Sequence, residues 1–495
     1  MMKFKQICLF LLVGFVFFGC DYPETFNVGD YTLTVGDRMN LSVIADANGA
    51  SGSDREWVSS DPKVAEITPE GIVIARNITT NSSGQYRQGA GTGSAAITLT
   101  ADRDEYIFNI TTTTAGSVHY KDLPSMKERV KARFGNNFMF GNIGGSISQQ
   151  MRDHFDTITA ENNMKPEKYT DARNETTGEI TYTWATADGF VNSAQNAGMK
   201  IIGHTLLWHS QNPSWMTSQV GAKIGGTGSN KDNPKMEKEA ALSIMKAYIT
   251  EVVNRYKGKI YSWDVLNEAF PDGGWKSDWK DSMRPENPWY FAIGSDFVYE
   301  GFLAARLADP GAILYYNDFN TDNHGKATMI IAMVTEVNNR YLDLAASSKP
   351  AGDPAGRLLI EGIGMQEHHN LSVPASNIRT TLDRIESMIF SSGAQVKVSV
   401  SELDVLGQTW GQFSPVGQGT NRHGSSTVTN AGLVSQMNLY AEYMKVYYDY
   451  RNIIERISFW GITDNASWRS GGLPLLFDSK GMAKPAYYGF INALN

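Results

Sequence analysis

With 495 residues, the chain is too long for one ordinary domain and fits a small module joined to a large one. Hydrophobic residues at 41% and charged residues at 19% give a globular balance, with no low-complexity tract. The formal net charge of -8, without any basic patch, excludes a nucleic-acid partner. Aromatic residues reach 11%, including 11 Trp. Such rings serve as core or as platforms for sugar rings, and composition does not separate the two.

In chain order the first feature is a targeting segment. Lys3 and Lys5 precede an apolar stretch, residues 7–18, too short to span a membrane comfortably. It closes on Phe17-Phe18-Gly19-Cys20, which resembles a bacterial lipobox. The resemblance implies a signal peptide over residues 1–19 and lipidation at Cys20. The plainer alternative is an ordinary signal peptide that happens to contain a cysteine. Cys8 and Cys20 are the only cysteines, and Cys20 falls at the expected cleavage point, which favours lipidation. Cys8 then leaves with the leader, and the mature chain has no disulfide. The expected product is exported and anchored to a bacterial membrane, the outer one, by lipid alone. Asp21 and Glu24 give the acidic start that accompanies surface display in some bacteria.

Residues 22–116 read as all-β. Short alternating runs at 31–35, 41–44, 56–58, 64–67, 71–74, 95–99 and 106–110 are separated by turn residues such as Gly36-Asp37. Seven short strands in so few residues predict a sandwich. The series Val35-Gly36-Asp37, Trp57-Val58-Ser59-Ser60-Asp61-Pro62-Lys63-Val64-Ala65, Gly71-Ile72-Val73 and Gly93-Ser94-Ala95-Ala96-Ile97-Thr98 resembles bacterial Ig-like domains of group 2. That family implies a spacer or adhesion-like module. A carbohydrate-binding module with Trp57 as platform is the rival, but Trp57 lies in an alternating strand and reads as core. The Thr-rich stretch 111–114, followed by Ala115-Gly116, reads as a linker.

From residue 123 to 495 helices alternate with short apolar runs, the signature of repeated βα units. Eight candidate strands lie at 138–141, 157–160, 200–203, 260–265, 313–316, 360–364, 396–400 and 457–460. Helical periodicity marks 237–256 and 298–308 among the connections. Eight such units predict a (β/α)8 TIM barrel with generous loops. Polar and aromatic groups follow strands two to eight: Glu161 and Lys165, then His204, Trp208 and His209, Asn267 and Glu268, Asn317 and Asp318, Gln366 and His368, Glu402 and Asp404, Trp460 and Trp468. Residues at that end of a barrel gather around one cleft. Glu268 and Glu402, each at the end of an inferred buried strand, are the pair of carboxylates that cleavage of a glycosidic bond requires. From the residues alone, which of the two is the acid stays open.

Six motifs make the resemblance specific: Thr159-Ala160-Glu161-Asn162-Asn163-Met164-Lys165, Gly203-His204-Thr205-Leu206-Leu207-Trp208-His209, Trp263-Asp264-Val265-Leu266-Asn267-Glu268-Ala269, Tyr316-Asn317-Asp318-Phe319-Asn320, Ser401-Glu402-Leu403-Asp404 and Trp460-Gly461-Ile462-Thr463-Asp464. In this order they are similar to glycoside hydrolase family 10, whose members are retaining endo-β-1,4-xylanases on a (β/α)8 barrel. The resemblance implies Glu268 as acid/base and Glu402 as nucleophile, with xylan and xylooligosaccharides as substrates. It further implies that Asn267 binds the sugar 2-hydroxyl, that His368 and Asp404 support Glu402, and that Glu161, Asn162 and Lys165 hold a sugar on the glycone side. His204, Trp208, Gln211, Asn317, Gln366 and Trp460 match further wall and floor positions, and Trp468 and Arg469 a lid over the non-reducing side.

Acid/base work by Glu268 requires a raised pKa, and hydrogen bonding near Asp404 and His368 suits an ionised Glu402. The histidine pairs His204/His209 and His368/His369 have the residue type of metal ligands. They lack Cys partners and sit at strand ends, so no metal and no other cofactor is expected. Asp264 reads as structural, as does Trp289. The loops 221–235 and 407–430 have no assigned role, though Trp410 in the second is placed to shape the aglycone side. Competing readings are a related barrel endoglucanase on cellulose or mixed-linkage glucan, and a non-catalytic surface glycan-binding lipoprotein. The presence of both carboxylates disfavours the latter. The expected state is a monomer.

Overall fold

The computed structural model describes residues 23–35, 38–52, 54–76, 78–80, 86–88, 92–113, 119–221, 235–413, 415–416, 423–424 and 428–494. The leader, Cys20, the Gly36-Asp37 turn, residues 114–116 of the expected linker, most of the loop at 221–235, and residues 414, 417–422 and 425–427 of the loop at 407–430 lie outside the described residues; residues 111–113, expected in the linker, instead continue the strand Asp104–Thr113. Two compact units divide the chain: a smaller one within 1–79 and 89–114, and a larger one within 80–88 and 115–495.

The smaller unit is built of two sheets around its own core. Thr25–Thr34 pairs in parallel with Asp104–Thr113, which continues antiparallel through Thr92–Ala101 to Arg55–Ser59. A second sheet joins Arg38–Asn40, Ile72–Ala75 and Ala65–Ile67. The alternation along Asp104–Thr113 turns Tyr106, Phe108 and Ile110 inward against Leu33, Val73, Ile97 and Leu99. This arrangement is compatible with an Ig-like domain. Trp57 is half-buried against Phe108, with ring centroids 5.7 Å apart, as expected of a core residue.

One expected strand is a helix. Residues 41–44 belong to the helix Leu41–Ala47. The Asn40 side chain accepts a hydrogen bond from the Val43 N–H, and Leu41 and Ala45, four residues apart, are the buried positions. The capping Asn outweighs the β-branched residues behind it.

In the larger unit eight strands close into a parallel barrel. They are Met139–Gly144 (β1), Thr157–Ala160 (β2), Lys200–Leu207 (β3), Ser262–Asn267 (β4), Ile313–Asp318 (β5), Gly362–Met365 (β6), Lys397–Val405 (β7) and Ile454–Phe459 (β8). Neighbours pair in sequence order, and β8 pairs back with β1. Helices such as Lys238–Arg255 and Asp296–Ala308 cover the outside, turning Tyr248, Ile249, Phe302 and Ala305 inward. Strands covered on both faces read as continuous apolar runs, which is why the sequence located all eight. Five of the eight (β1, β3, β4, β5 and β7) extend two to five residues beyond the expected run, and these extensions carry His204, Asn267, Asn317, Glu402 and Asp404.

Gly364 shows how tightly the interior of the barrel is filled. A Cβ built there lies 2.2 Å from Asn317 Oδ1, so only glycine leaves room for that carboxamide. Trp289, expected to be structural, is fully buried. Trp279 is buried with its indole N–H donating to Glu336, and Trp275 donates to the Pro271 carbonyl.

Candidate active site

The strand-end groups converge on one cleft of about 780 Å³, lined by Glu161, Asn162, Lys165, His204, Trp208, Asn267, Glu268, Gln366, His368, Glu402, Trp460, Trp468 and Arg469. Gln211, Asn317 and Asp404 stand behind these walls and act through other side chains. Lys165 Nζ donates to Gln211 Oε1 at 2.6 Å and to Asn162 Oδ1 at 3.1 Å, and lies 5.0 Å from the centre of the Trp208 ring. Burial pushes the Lys165 ammonium below its ordinary pKa, against the pull of Glu402, Glu161 and Glu268. Burial also raises the Glu161 carboxyl, with Lys165 opposing.

Glu268 follows β4 with a backbone φ of 53°, a left-handed conformation that a residue with a side chain seldom adopts. Its N–H donates to the Asn317 carbonyl at 2.8 Å. Trp208 Nε1 donates to Glu268 Oε2 at 2.9 Å, and Gln366 Nε2 to Oε1 at 3.0 Å. Burial raises this carboxyl, but His209 with Nδ1 at 3.9 Å, the Gln366 and Trp208 donors, and the Arg284 guanidinium outweigh it and hold the pKa below the usual glutamate range. This departs from the raised value expected from sequence. Donors aimed at both oxygens favour the charged form. Burial, Arg284 and Lys326 lower His209 in turn, so its charge acts on Glu268 chiefly at acidic pH.

Glu402, 4% exposed, receives a hydrogen bond from Asn317 Nδ2 at 2.7 Å on Oε1. His368 Nε2 lies 3.1 Å from its Oε2, and His368 Nδ1 lies 3.1 Å from Asp404 Oδ2. Burial would lower this imidazole, but Asp404 and Glu402 overcome it and push the pKa up to about 9. His368 is therefore a cation at neutral pH, wedged between two carboxylates. Burial alone would raise Asp404, yet Arg469 and His368 hold it below the ordinary range.

Asn317 is oriented by a full set of partners. Its Oδ1 accepts from Ser401 Oγ at 2.6 Å, while Nδ2 also donates to Asn267 Oδ1 at 2.9 Å. Gln366 donates to the same Asn267 oxygen at 3.1 Å. With its oxygen occupied twice, Asn267 is left with its amide N–H groups toward Glu268 Oε1, 3.3 Å away, and the cleft. His204 is fixed in the same manner by Asp264, with Nδ1 2.9 Å from Oδ2, both residues being buried. Asp264 is thus structural, as read from sequence.

Arg469 lines the cleft from a buried position. It is 2% exposed and paired with Asp404, to which Trp468 Nε1 also donates at 3.1 Å. Residues that sequence reasoning had not placed in the site include Asp272, Arg284, Phe319, Asn320 and Asn370, all lining the cleft. Phe319 and Asn320 lie inside a quoted motif, and that position was the available signal. Arg284 lies in a loop well past Glu268, and nothing in its local sequence marks it.

A (β/α)8 barrel whose cleft holds two carboxylates at the ends of separate strands, among amides and indoles, defines a glycoside hydrolase. The sequence profile of glycosyl hydrolase family 10 matches residues 125–493, and the chain belongs to that family. It is 30% identical over 383 residues to an endo-1,4-beta-xylanase of Geobacillus stearothermophilus, covering 75% of this chain and 98% of that one. With endo-1,4-beta-xylanase A of Thermotoga maritima it shares 30% identity over 380 residues, which is 75% of this chain but only 31% of the relative. Among solved structures, a bacterial Ig-like domain containing family 10 xylanase from termite gut aligns at 46% identity and a TM-score of 0.72, covering 94% of this chain and 98% of that one. Xylanase 10B from Thermotoga petrophila RKU-1, in complex with xylobiose, aligns at 26% identity and a TM-score of 0.56, over 75% of this chain and 97% of that one.

Proposed function

We propose that this protein is an endo-β-1,4-xylanase that hydrolyses internal bonds of xylan with retention of configuration. The observation that carries the reading is the contrast between the two carboxylates. Glu402 is braced by the His368 cation, whereas Glu268 projects into the cleft between donors that a sugar oxygen can replace. In the first step protonated Glu268 gives its proton to the glycosidic oxygen while Glu402 attacks the anomeric carbon from the opposite face, forming a glycosyl ester as the aglycone leaves. The charge on Glu402 is then gone. Glu268, now ionised, takes a proton from water, which displaces Glu402 and regenerates both groups. Asn267 offers its amide N–H to the 2-hydroxyl as positive charge develops at the anomeric centre.

The names of the Geobacillus, Thermotoga and termite-gut relatives support xylan as the substrate. Digestion of glucuronoxylan, arabinoxylan and mixed-linkage β-glucan by the purified protein tests it. Oligosaccharide release from the two xylans and little from glucan is expected; faster release from glucan overturns the substrate class.

The small unit is read as an Ig-like spacer, and the protein as a lipoprotein held through Cys20. The two-sheet architecture and the termite-gut likeness support the first reading. The lipobox-like Phe18-Gly19-Cys20 supports the second. Labelled fatty acid is expected in the wild-type protein and absent from Cys20→Ser.

A further inference from the structure

Trp410 is not explained by the fold. It lines the same cleft as Glu268 and Glu402, yet is 49% exposed, whereas Trp208 and Trp460 are 9% and 8% exposed. A single exposed apolar residue needs no special account when it is mobile or lies on an open surface. Trp410 does neither. It begins the one-turn helix Trp410–Gln412, in which Thr409 and Gln412 cap each other. Its backbone N–H donates to Asn370 Oδ1 at 3.3 Å, tying the loop after β7 to the one after β6. Phe413, 3% exposed, anchors the turn from below, with its ring centre 5.8 Å from that of Trp410. The Arg469 guanidinium, held in place by Asp404, lies over the indole at 5.9 Å.

The indole is therefore held at the lip of the cleft, with half its surface left for something else to cover. A rigid aromatic face that loses little conformational freedom on contact suits the apolar face of a sugar ring. Its position indicates which part of the chain it meets. In the closed strand order, β6 and β7 stand across the barrel from β2 and β3, whose ends carry the Lys165 and Gln211 group. With Lys165 on the glycone side, Trp410 meets the sugars beyond the scissile bond.

We propose that Trp410 is a stacking platform for an aglycone-side sugar of the substrate, selecting longer chains. The proposal rests on the glycosidase reading above. Two substrates test it: xylohexaose, which can reach this wall, and an aryl β-xylobioside, whose sugars occupy only the glycone side. Trp410→Ala is expected to lower kcat/KM on xylohexaose about tenfold, as loss of one covered ring face implies, and to leave the aryl xylobioside within about twofold. Trp410→Phe is expected to recover most of the loss. If wild type cleaves both substrates and Trp410→Ala changes neither, or lowers both alike, the platform is overturned while the glycosidase reading stands. If wild type cleaves neither, the glycosidase reading falls and the platform with it.

Discussion

Glu268 and Glu402 are joined beneath the cleft by two carboxamides. Asn317 Nδ2 reaches Glu402 Oε1 at 2.7 Å and Asn267 Oδ1 at 2.9 Å, and Asn267 Nδ2 reaches Glu268 Oε1 at 3.3 Å. Both amides are almost fully buried, so their directions are set by partners rather than by solvent. The relay fixes the two carboxylates relative to each other, and it holds Asn267 ready for a sugar hydroxyl.

Asn317→Ala removes the donor to Glu402 and leaves the Ser401 hydroxyl and the Asn267 oxygen short of a partner. The expected cost is about 1–3 kcal/mol of stability and roughly a hundredfold in kcat. Chemical denaturation and steady-state kinetics on xylooligosaccharides measure the two. A stability loss with normal kcat would reduce Asn317 to a structural residue.

Glu402→Ala is expected to reduce xylan hydrolysis by several orders of magnitude, because it removes the carboxylate that attacks the anomeric carbon. Near-normal rates would remove Glu402 as the nucleophile.

The pH dependence of kcat/KM tests the environment of Glu268. Its indole donor stabilises the ionised form, so Trp208→Phe raises the carboxyl pKa. Since the first step needs the protonated acid, the basic limb of the profile moves to higher pH in this variant. A limb that stays in place or moves down contradicts the assignment of Glu268 as acid.

His368 links charge to stability. Its folded-state pKa, about 9, lies above the unfolded histidine value. Its stabilising contribution is therefore full below about pH 6.5 and is lost as pH rises through about 9. His368→Gln is expected to be less stable than wild type at pH 6, with the gap narrowing toward pH 9. A constant gap would mean that His368 is neutral throughout.

The barrel was legible because buried parallel strands are apolar along their whole length, and the site because barrels present their function at one end. Glu268, Asn267 and Glu402 needed only those two rules and the family motifs. Other features depend on direction, which a strand-end position does not reveal. Asn317 points behind the wall, and Arg469 turns inward to Asp404. The Glu268 pKa depends on donors from β3 and β6 that meet only in three dimensions. Leu41–Ala47 was misread because Leu-Ser-Val-Ile alternates like a strand, and only the Asn40 cap reveals the helix.

The most direct test of the account is the configuration of the first sugar released. Proton NMR of a xylooligosaccharide digest, recorded before mutarotation, is expected to show the β-anomer at the new reducing end. That outcome follows from attack by Glu402 and then by water on the same carbon. An initial α-anomer would contradict the two-step mechanism and, with it, the nucleophilic role of Glu402.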